Sequence, residues 1–423
     1  MSKRSGISAG VNQRRLHRFA VFTALATFAL LGAGGLVTSY GVGMAVWDWP
    51  NSYGYNMFFF PVSKWVGGIF YEHTHRLLAS GVGLLTSVLA LWLHGRTARP
   101  FMRWSGLALL LLSLGTWLVV PRRWTDAAVL GLVGAALLGA SWIWPGCEPA
   151  AKWLRRLGLV AFFAVVLQGV LGGLRVVLLK DQIGIFHAAL AQLFFVLLCA
   201  IALFTSSGWE RWGASVAESG RKLHARDAGG LHWVFAATTI LIFGQLLLGA
   251  TMRHQHAGLA IPDFPLAYGK LWPAMDASSV QLYNERRMEV TESNPITAAQ
   301  IGLQMFHRLL AGAILAAVAI CAWSARRKLS GRHPASRLAL LWLGLVLGQV
   351  FLGAATIWSN KAADIATAHV LLGALLLALG GILCIVSFRE MAFARDPSKS
   401  VAAAPAASSA PFATRPAAAS SLQ

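Results

Sequence analysis

The chain has 423 residues, of which 57% are hydrophobic and 12% charged, with 36 Lys and Arg against 16 Asp and Glu. A soluble domain carries roughly twice that charged fraction, so a soluble enzyme, a disordered chain and a nucleic-acid module are excluded and a polytopic membrane protein is indicated by a mean hydropathy of +0.60. The net charge of +20 then points to inside loops and anionic lipid headgroups, not to nucleic acid.

Taken in chain order, a basic N-terminus (residues 1–18) holds Lys3, Arg4, Arg14, Arg15 and Arg18 and precedes the first apolar stretch. It lacks a signal-peptide cleavage site, so the stretch is expected to stay as an anchor. Ten spans are predicted, at about 19–42, 73–94, 104–120, 127–144, 157–179, 184–206, 231–252, 304–324, 337–358 and 366–388. With the N-terminus in the cytoplasm, the inside segments collect Arg96, Arg99 and Arg103, then Lys152, Arg155 and Arg156, then Arg211, Arg221, Lys222 and Arg226, then Arg326, Arg327 and Lys328. Arg122 and Arg123 are the one local objection. Removing both the third and fourth spans leaves every other loop on its side. The expected location is the cell inner (plasma) membrane with both termini cytoplasmic. Residues 207–230 read as a cytoplasmic linker, and the Ala-, Ser- and Pro-rich segment 391–423 as a disordered tail.

The chain repeats itself. Gly43-Met-Ala-Val-Trp-Asp48-Trp-Pro50-Asn-Ser-Tyr53-Gly54 follows the first span and Gly258-Leu-Ala-Ile-Pro-Asp263-Phe-Pro265-Leu-Ala-Tyr268-Gly269 the seventh, with six of twelve positions identical. His75-Arg-Leu-Leu-Ala79 pairs with His307-Arg-Leu-Leu-Ala311, Gln168-Gly-Val-Leu-Gly172 with Gln349-Val-Phe-Leu-Gly353, and His187 with His369. The separation of His75 from His187 is 112 residues and that of His307 from His369 is 62. The excess matches residues 101–150, which have no counterpart in the second half. The predicted fold is therefore an all-α polytopic membrane protein with two tandem four-helix bundle repeats, residues 19–206 and 231–390, plus an inserted transmembrane hairpin at about 101–150. The short first segment of that hairpin leaves a re-entrant path open.

His75, His187, His307 and His369 begin helices that all run from outside to inside, so they share one layer near the outer face. Polar groups inside a membrane are expensive and functional by default. Two histidines on neighbouring helices can clamp one iron from both sides, which is bis-histidine heme ligation in a bundle core. A lone transmembrane histidine is more often a packing residue; four at repeat-equivalent positions reverse that weighting. Zinc and copper also suit imidazole, but no nearby cysteine or histidine pair completes a tetrahedral set. Arg76 and Arg308 follow two of these histidines and are candidate propionate partners, with snorkelling to headgroups as the other reading. Glu72 stands one turn before His75, whereas Gln304 stands before His307. Only the first pocket thus has an ionisable acid, which suggests chemistry there.

The Glu72-x-x-His75-Arg76 motif, His307-Arg308, His187 and His369, with the Asp-aromatic-Pro loop and the Gln-x-x-Leu-Gly pairs, resemble heme A synthase. The resemblance covers most of residues 15–390 apart from the hairpin. It implies oxidation of the C8 methyl group of heme O to the formyl group of heme A, by successive hydroxylation to a gem-diol and loss of water. It also implies that His75 and His187 flank the substrate heme, that His307 and His369 ligate heme b, and that Glu72 assists the oxidation. Candidate partners are heme O synthase, terminal oxidase assembly factors and the lipid bilayer; self-association stays open. Some members of that family carry a cysteine pair in the first outside loop. Residues 43–70 have none here, and the four cysteines, Cys147, Cys199, Cys321 and Cys384, are scattered. The competing readings are a diheme b-type electron-transfer subunit, which needs no Glu72, and a heme transporter. A heme-farnesylating enzyme is disfavoured by the lack of an Asp-x-x-x-Asp motif. His254 and His256 are expected to be exposed in the long outside loop, and His73 to point away from the pocket.

Overall fold

A backbone in lipid must satisfy its polar groups internally, which leaves helices as the economical solution for a chain of apolar runs. The computed structural model describes residues 4–209, 230–287, 295–329 and 331–395, with side chains from residue 13 to 392 within those ranges. The linker expected at 207–230 and the tail expected at 391–423 lie mostly outside them. Among the described residues there is no strand, and only two isolated bridges occur, Ser52 with Tyr55 and Ala267 with Lys270.

The helices are α1 (Arg4–Ser39), α2 (Gly67–His94), α3 (Ala98–Val119), α4 (Trp124–Ile143), α5 (Lys152–Leu178), α6 (Asp181–Phe204), α7 (Leu231–His254), α8 (Ala277–Glu285), α9 (Ala298–Leu329), α10 (Pro334–Trp358) and α11 (Ala363–Arg395). All ten predicted spans are present as helices. Nine helical runs among the described residues are long and apolar enough to cross a membrane, and one of them, Gly67–Val119, has 53 residues. At 1.5 Å per residue that run would be about 80 Å long, far beyond the ~30 Å of a hydrocarbon core. The 3-10 turn Gly95–Thr97 divides it into α2 and α3, with Gly95 at φ 54°. α1 begins at Arg4 and so runs through most of the basic N-terminus into the first span. Similarly α11 continues to Arg395, into the segment expected as tail.

Each half is built from two helical hairpins. In the first half α1 packs on α2 and α5 on α6, closed by α2–α5 and α1–α6 contacts. In the second, α7 packs on α9 and α10 on α11, closed by α9–α10 and α7–α11 contacts. Leu89, Leu93, Leu198 and Ile201 fill the first core, and Phe235, Val318, Trp342 and Leu383 the second. The halves meet along α1–α11, α6–α11 and α6–α7, where Phe195 packs with Ala374 and Ala378.

The inserted hairpin α3–α4 packs almost wholly on itself. Gly106 and Gly134 face each other so closely that a Cβ on Gly134 would fall 2.9 Å from the Gly106 oxygen, the small-residue crossing by which membrane helices approach. Asn56 donates to Asp126 at 2.6 Å and so ties α4 to the loop after α1. Gly134→Leu is expected to part α3 from α4 at a cost of about 1–3 kcal/mol. Amide exchange should rise in α3 and α4 and stay unchanged in α1, α2, α5 and α6.

Candidate functional site

Two loops cap the same end of the bundle, and the repeated motif explains how they fold. The Asp48 carboxylate accepts from the Tyr53 and Gly54 amides at 2.7 and 2.8 Å. Asp263 does the same for Tyr268 and Gly269 at 2.7 and 2.8 Å. Tyr53 and Tyr268 hold positive φ and are followed by Gly54 and Gly269 at φ 78° and 75°, where a glycine costs least. Trp49–Pro50 and Phe264–Pro265 are both cis. The Tyr268 hydroxyl donates to the Ala260 carbonyl as Tyr53 does to Ala45, and burial pushes the Tyr268 phenol up to about 12. The Asp-aromatic-Pro signature is thus the scaffold of a loop.

The residues around the first histidine of each half bind this loop to its helix. Glu72, 3% exposed, accepts from the Val46 amide at 2.8 Å and pairs with Arg76 at 2.8 Å. Gln304, 1% exposed, accepts from the equivalent Ile261 amide at 2.6 Å and donates to the Gly258 and Ile261 carbonyls. Arg76 also donates to the carbonyls of Asp48, Asn51 and Val46. Arg308 donates to Leu266 and Asp263 at 2.9 and 2.8 Å, leaving its Nε buried without a partner. The two arginines named as propionate partners therefore already serve loop carbonyls.

The four histidines are placed alike. Each lies within the first three turns of the second helix of a hairpin: His75 in α2, His187 in α6, His307 in α9 and His369 in α11. Each ring rests on a glycine of the hairpin's first helix. A Cβ on Gly34, Gly172, Gly249 or Gly353 would fall 3.0, 3.3, 3.4 or 3.2 Å from Cε1 of His75, His187, His307 or His369 respectively. Three of the four have a further support from four residues before that glycine. Gln168, Gln245 and Gln349 donate their side-chain N–H to the backbone carbonyls of His187, His307 and His369 at 3.1, 3.0 and 3.0 Å. In all four rings Nδ1 is buried without a hydrogen-bond partner, which is rare and costly for a histidine that only packs. His75 and His187 lie within electrostatic reach of each other, and so do His307 and His369. No group of three or more His, Cys, Asp or Glu able to hold a bare metal ion occurs among the described residues. Two buried imidazoles per half within electrostatic reach of each other fit a heme, whose ring supplies the iron's other ligands.

A model of the COX15-CtaA family, described as cytochrome oxidase assembly protein, matches residues 116–380, more than half of the chain. The chain belongs to this family. It is 29% identical over 231 residues to a heme A synthase of Symbiobacterium thermophilum, covering 54% of this chain and 65% of that protein. It is 29% identical over 246 residues to a heme A synthase of Beijerinckia indica subsp. indica, covering 56% of this chain and 62% of that protein. The chain thus spans slightly less than two thirds of the length of these curated relatives. The family match contains His187, His307 and His369. Glu72, His75 and Arg76 precede it and are joined to it by the internal repeat.

His73 and His254 complete the picture. As expected, His73 points away from the pocket: it is fully buried between Phe60 and Trp65, its Nδ1 3.2 Å from the Ser52 hydroxyl. Its Nε2 is also without a partner, but no glycine seat or facing histidine accompanies it. His256 is exposed. His254 is not, which corrects the expectation: it is 9% exposed, because α7 runs to His254 and carries the ring onto Gly184, one turn before His187. Its neighbour Arg253 donates to the Gly35 carbonyl at 2.9 Å and to the Ser39 hydroxyl of α1. Ser39 in turn meets Thr367, two residues before His369. Both residues of α7 therefore couple the histidine layers of the two halves. Sequence reading also passed over Arg175, whose guanidinium lies over Gly43 and within electrostatic reach of Glu72, His75 and His187.

Proposed function

We propose that the protein is a heme A synthase of the inner (plasma) membrane, oxidising the C8 methyl group of heme O to a formyl group by successive hydroxylation. The observation that carries this reading is the asymmetry between two otherwise matched histidine pairs: a carboxylate, Glu72, stands beside His75, and an amide, Gln304, stands in its place beside His307. An electron-carrying heme needs no acid; a heme that is itself oxidised gains from a group that accepts a proton or stabilises charge. His75 and His187 hold the substrate heme in the first half (residues 19–206), and His307 and His369 hold heme b in the second (231–390). The termini are cytoplasmic, so the histidine layer lies near the outer face. A heme held by His307 and His369 would supply one-electron redox chemistry there; the protein's own part is to seat the substrate between His75 and His187 and to hold Glu72, through the Val46 amide and Arg76, three residues before His75. Arg175 joins Arg76 and Arg308 as a candidate for the propionates, since it lies within electrostatic reach of the first pair while the other two are engaged with loop carbonyls. Heme O synthase and oxidase assembly factors are the partners this activity calls for.

The test is expression in a host that makes heme O but not heme A, followed by heme extraction and mass analysis. Hydroxylated or formyl heme is expected. A folded, heme-loaded protein without either product would leave the diheme electron-transfer subunit as the better reading.

A further inference from the structure

The four hairpins are variations on one device, and one of them lacks a part. In α5–α6, α7–α9 and α10–α11 a glutamine four residues before the seating glycine donates to the backbone carbonyl of the histidine. In α1–α2 the corresponding position, four residues before Gly34, is Leu30, which has no N–H to give. We propose that His75 is the exchangeable ligand of its pair, the imidazole that leaves the iron to open a coordination position while His187 keeps hold. This rests on the reading of the histidine pairs as heme ligands.

His307 provides an internal control, because it is the repeat equivalent of His75. Both follow a buried residue that accepts from a loop amide, Glu72 from Val46 and Gln304 from Ile261. Both precede an arginine that donates to loop carbonyls. Both rings rest on a glycine, Gly34 and Gly249. Beside the exchange of Glu72 for Gln304, what separates them is Gln245, whose N–H ties the His307 carbonyl to α7 at 3.0 Å. That bond fixes the height and rotation of the ligand relative to the neighbouring helix, since sliding would leave a buried donor unsatisfied. Leu30 offers only dispersion contacts, which have no direction.

The glutamines are not free of cost. Oε1 of Gln168, Gln245 and Gln349 is buried without a partner, a burden that leucine avoids and that buried amides seldom carry without a reason. Three hairpins carry it and the fourth does not. The fourth is the one beside Glu72, where a reaction at the heme requires access. A pair fixed on both sides suits a heme that only passes electrons; a pair fixed on one side suits a heme that must be loaded, reacted and released.

The experiment uses full-length protein in two single-heme backgrounds, His307→Ala with His369→Ala to read the first site and His75→Ala with His187→Ala to read the second. Heme content is measured first, then carbon monoxide binding to the reduced protein by difference spectroscopy. The first site should bind carbon monoxide at least about fivefold more tightly than the second, the equivalent of one hydrogen bond. Leu30→Gln should weaken binding at the first site, and Gln245→Leu should strengthen it at the second, each by about the same factor. Equal binding in the two backgrounds, or no response to either substitution in protein that retains its heme, overturns the inference alone. Absence of heme from both backgrounds and from the unsubstituted protein overturns the heme reading, and the inference with it.

Discussion

His369→Ala is expected to remove heme from the second half and leave the first half loaded, so that extracted heme falls by about half. The side chain is seated on Gly353 of α10 and its carbonyl is held by Gln349, so the loss is confined to one imidazole and the helix pair stays together. With His369 as the proposed heme ligand, its deletion should cost more than the 10–100-fold in affinity typical of deleting a supporting contact. His187→Ala should do the reverse, stripping the first site and sparing the second. The halves are separately packed around Leu198 and Ile201 on one side and Phe235 and Trp342 on the other. That separation is why each substitution should act on its own site. Pyridine hemochrome analysis of purified protein distinguishes this from a shared site, in which either substitution would remove all heme.

The parts of this arrangement that follow from local pattern were legible in the chain. Runs of apolar residues set the helices, and verbatim repeats such as His75-Arg-Leu-Leu and His307-Arg-Leu-Leu set the layer. Parts that depend on one helix meeting another were not. Gly34, Gly172, Gly249 and Gly353 are seats only because a particular ring lies across the hairpin from each, and glycines are common throughout the chain. Gln245 carried a usable signal, since Gln245-Leu-Leu-Leu-Gly249 has the same form as Gln168-Gly-Val-Leu-Gly172 and Gln349-Val-Phe-Leu-Gly353. That likeness runs across hairpins and not across halves, because the counterpart of Gln245 in the first half is Leu30. His254 was misplaced by its neighbours. Arg253, Gln255 and His256 read as loop, but α7 continues to His254 and turns the ring inward onto α6. The Asp48 and Asp263 motifs were visible as repeats, while their task of gathering two amides each requires the turn itself.

Glu72→Gln is expected to abolish product while preserving both hemes and the loop, with a fall in turnover of about 10²–10⁴-fold, the usual worth of a positioned acid or base. The second half states in advance that the fold tolerates the change. Gln304 occupies the equivalent place, 1% exposed, and accepts from Ile261 as Glu72 accepts from Val46. An amide oxygen at position 72 therefore still meets the Val46 amide, and Arg76 keeps its bonds to Asp48, Asn51 and Val46. What the substitution removes is the negative charge that faces Arg76 at 2.8 Å and stands within reach of Arg175. Glu72→Ala is a harsher change: it leaves the Val46 amide buried without an acceptor, at a cost of about 1–3 kcal/mol. It should add proteolytic sensitivity between residues 43 and 66 to the loss of product. The pair of variants separates two roles for one carboxylate. If Glu72 only fastens the loop to α2, Glu72→Gln retains full turnover, because Gln304 does the same fastening in the other half. If the charge takes part in oxidising the bound heme, Glu72→Gln yields protein with the spectrum of the unsubstituted form and no formyl or hydroxylated heme on extraction.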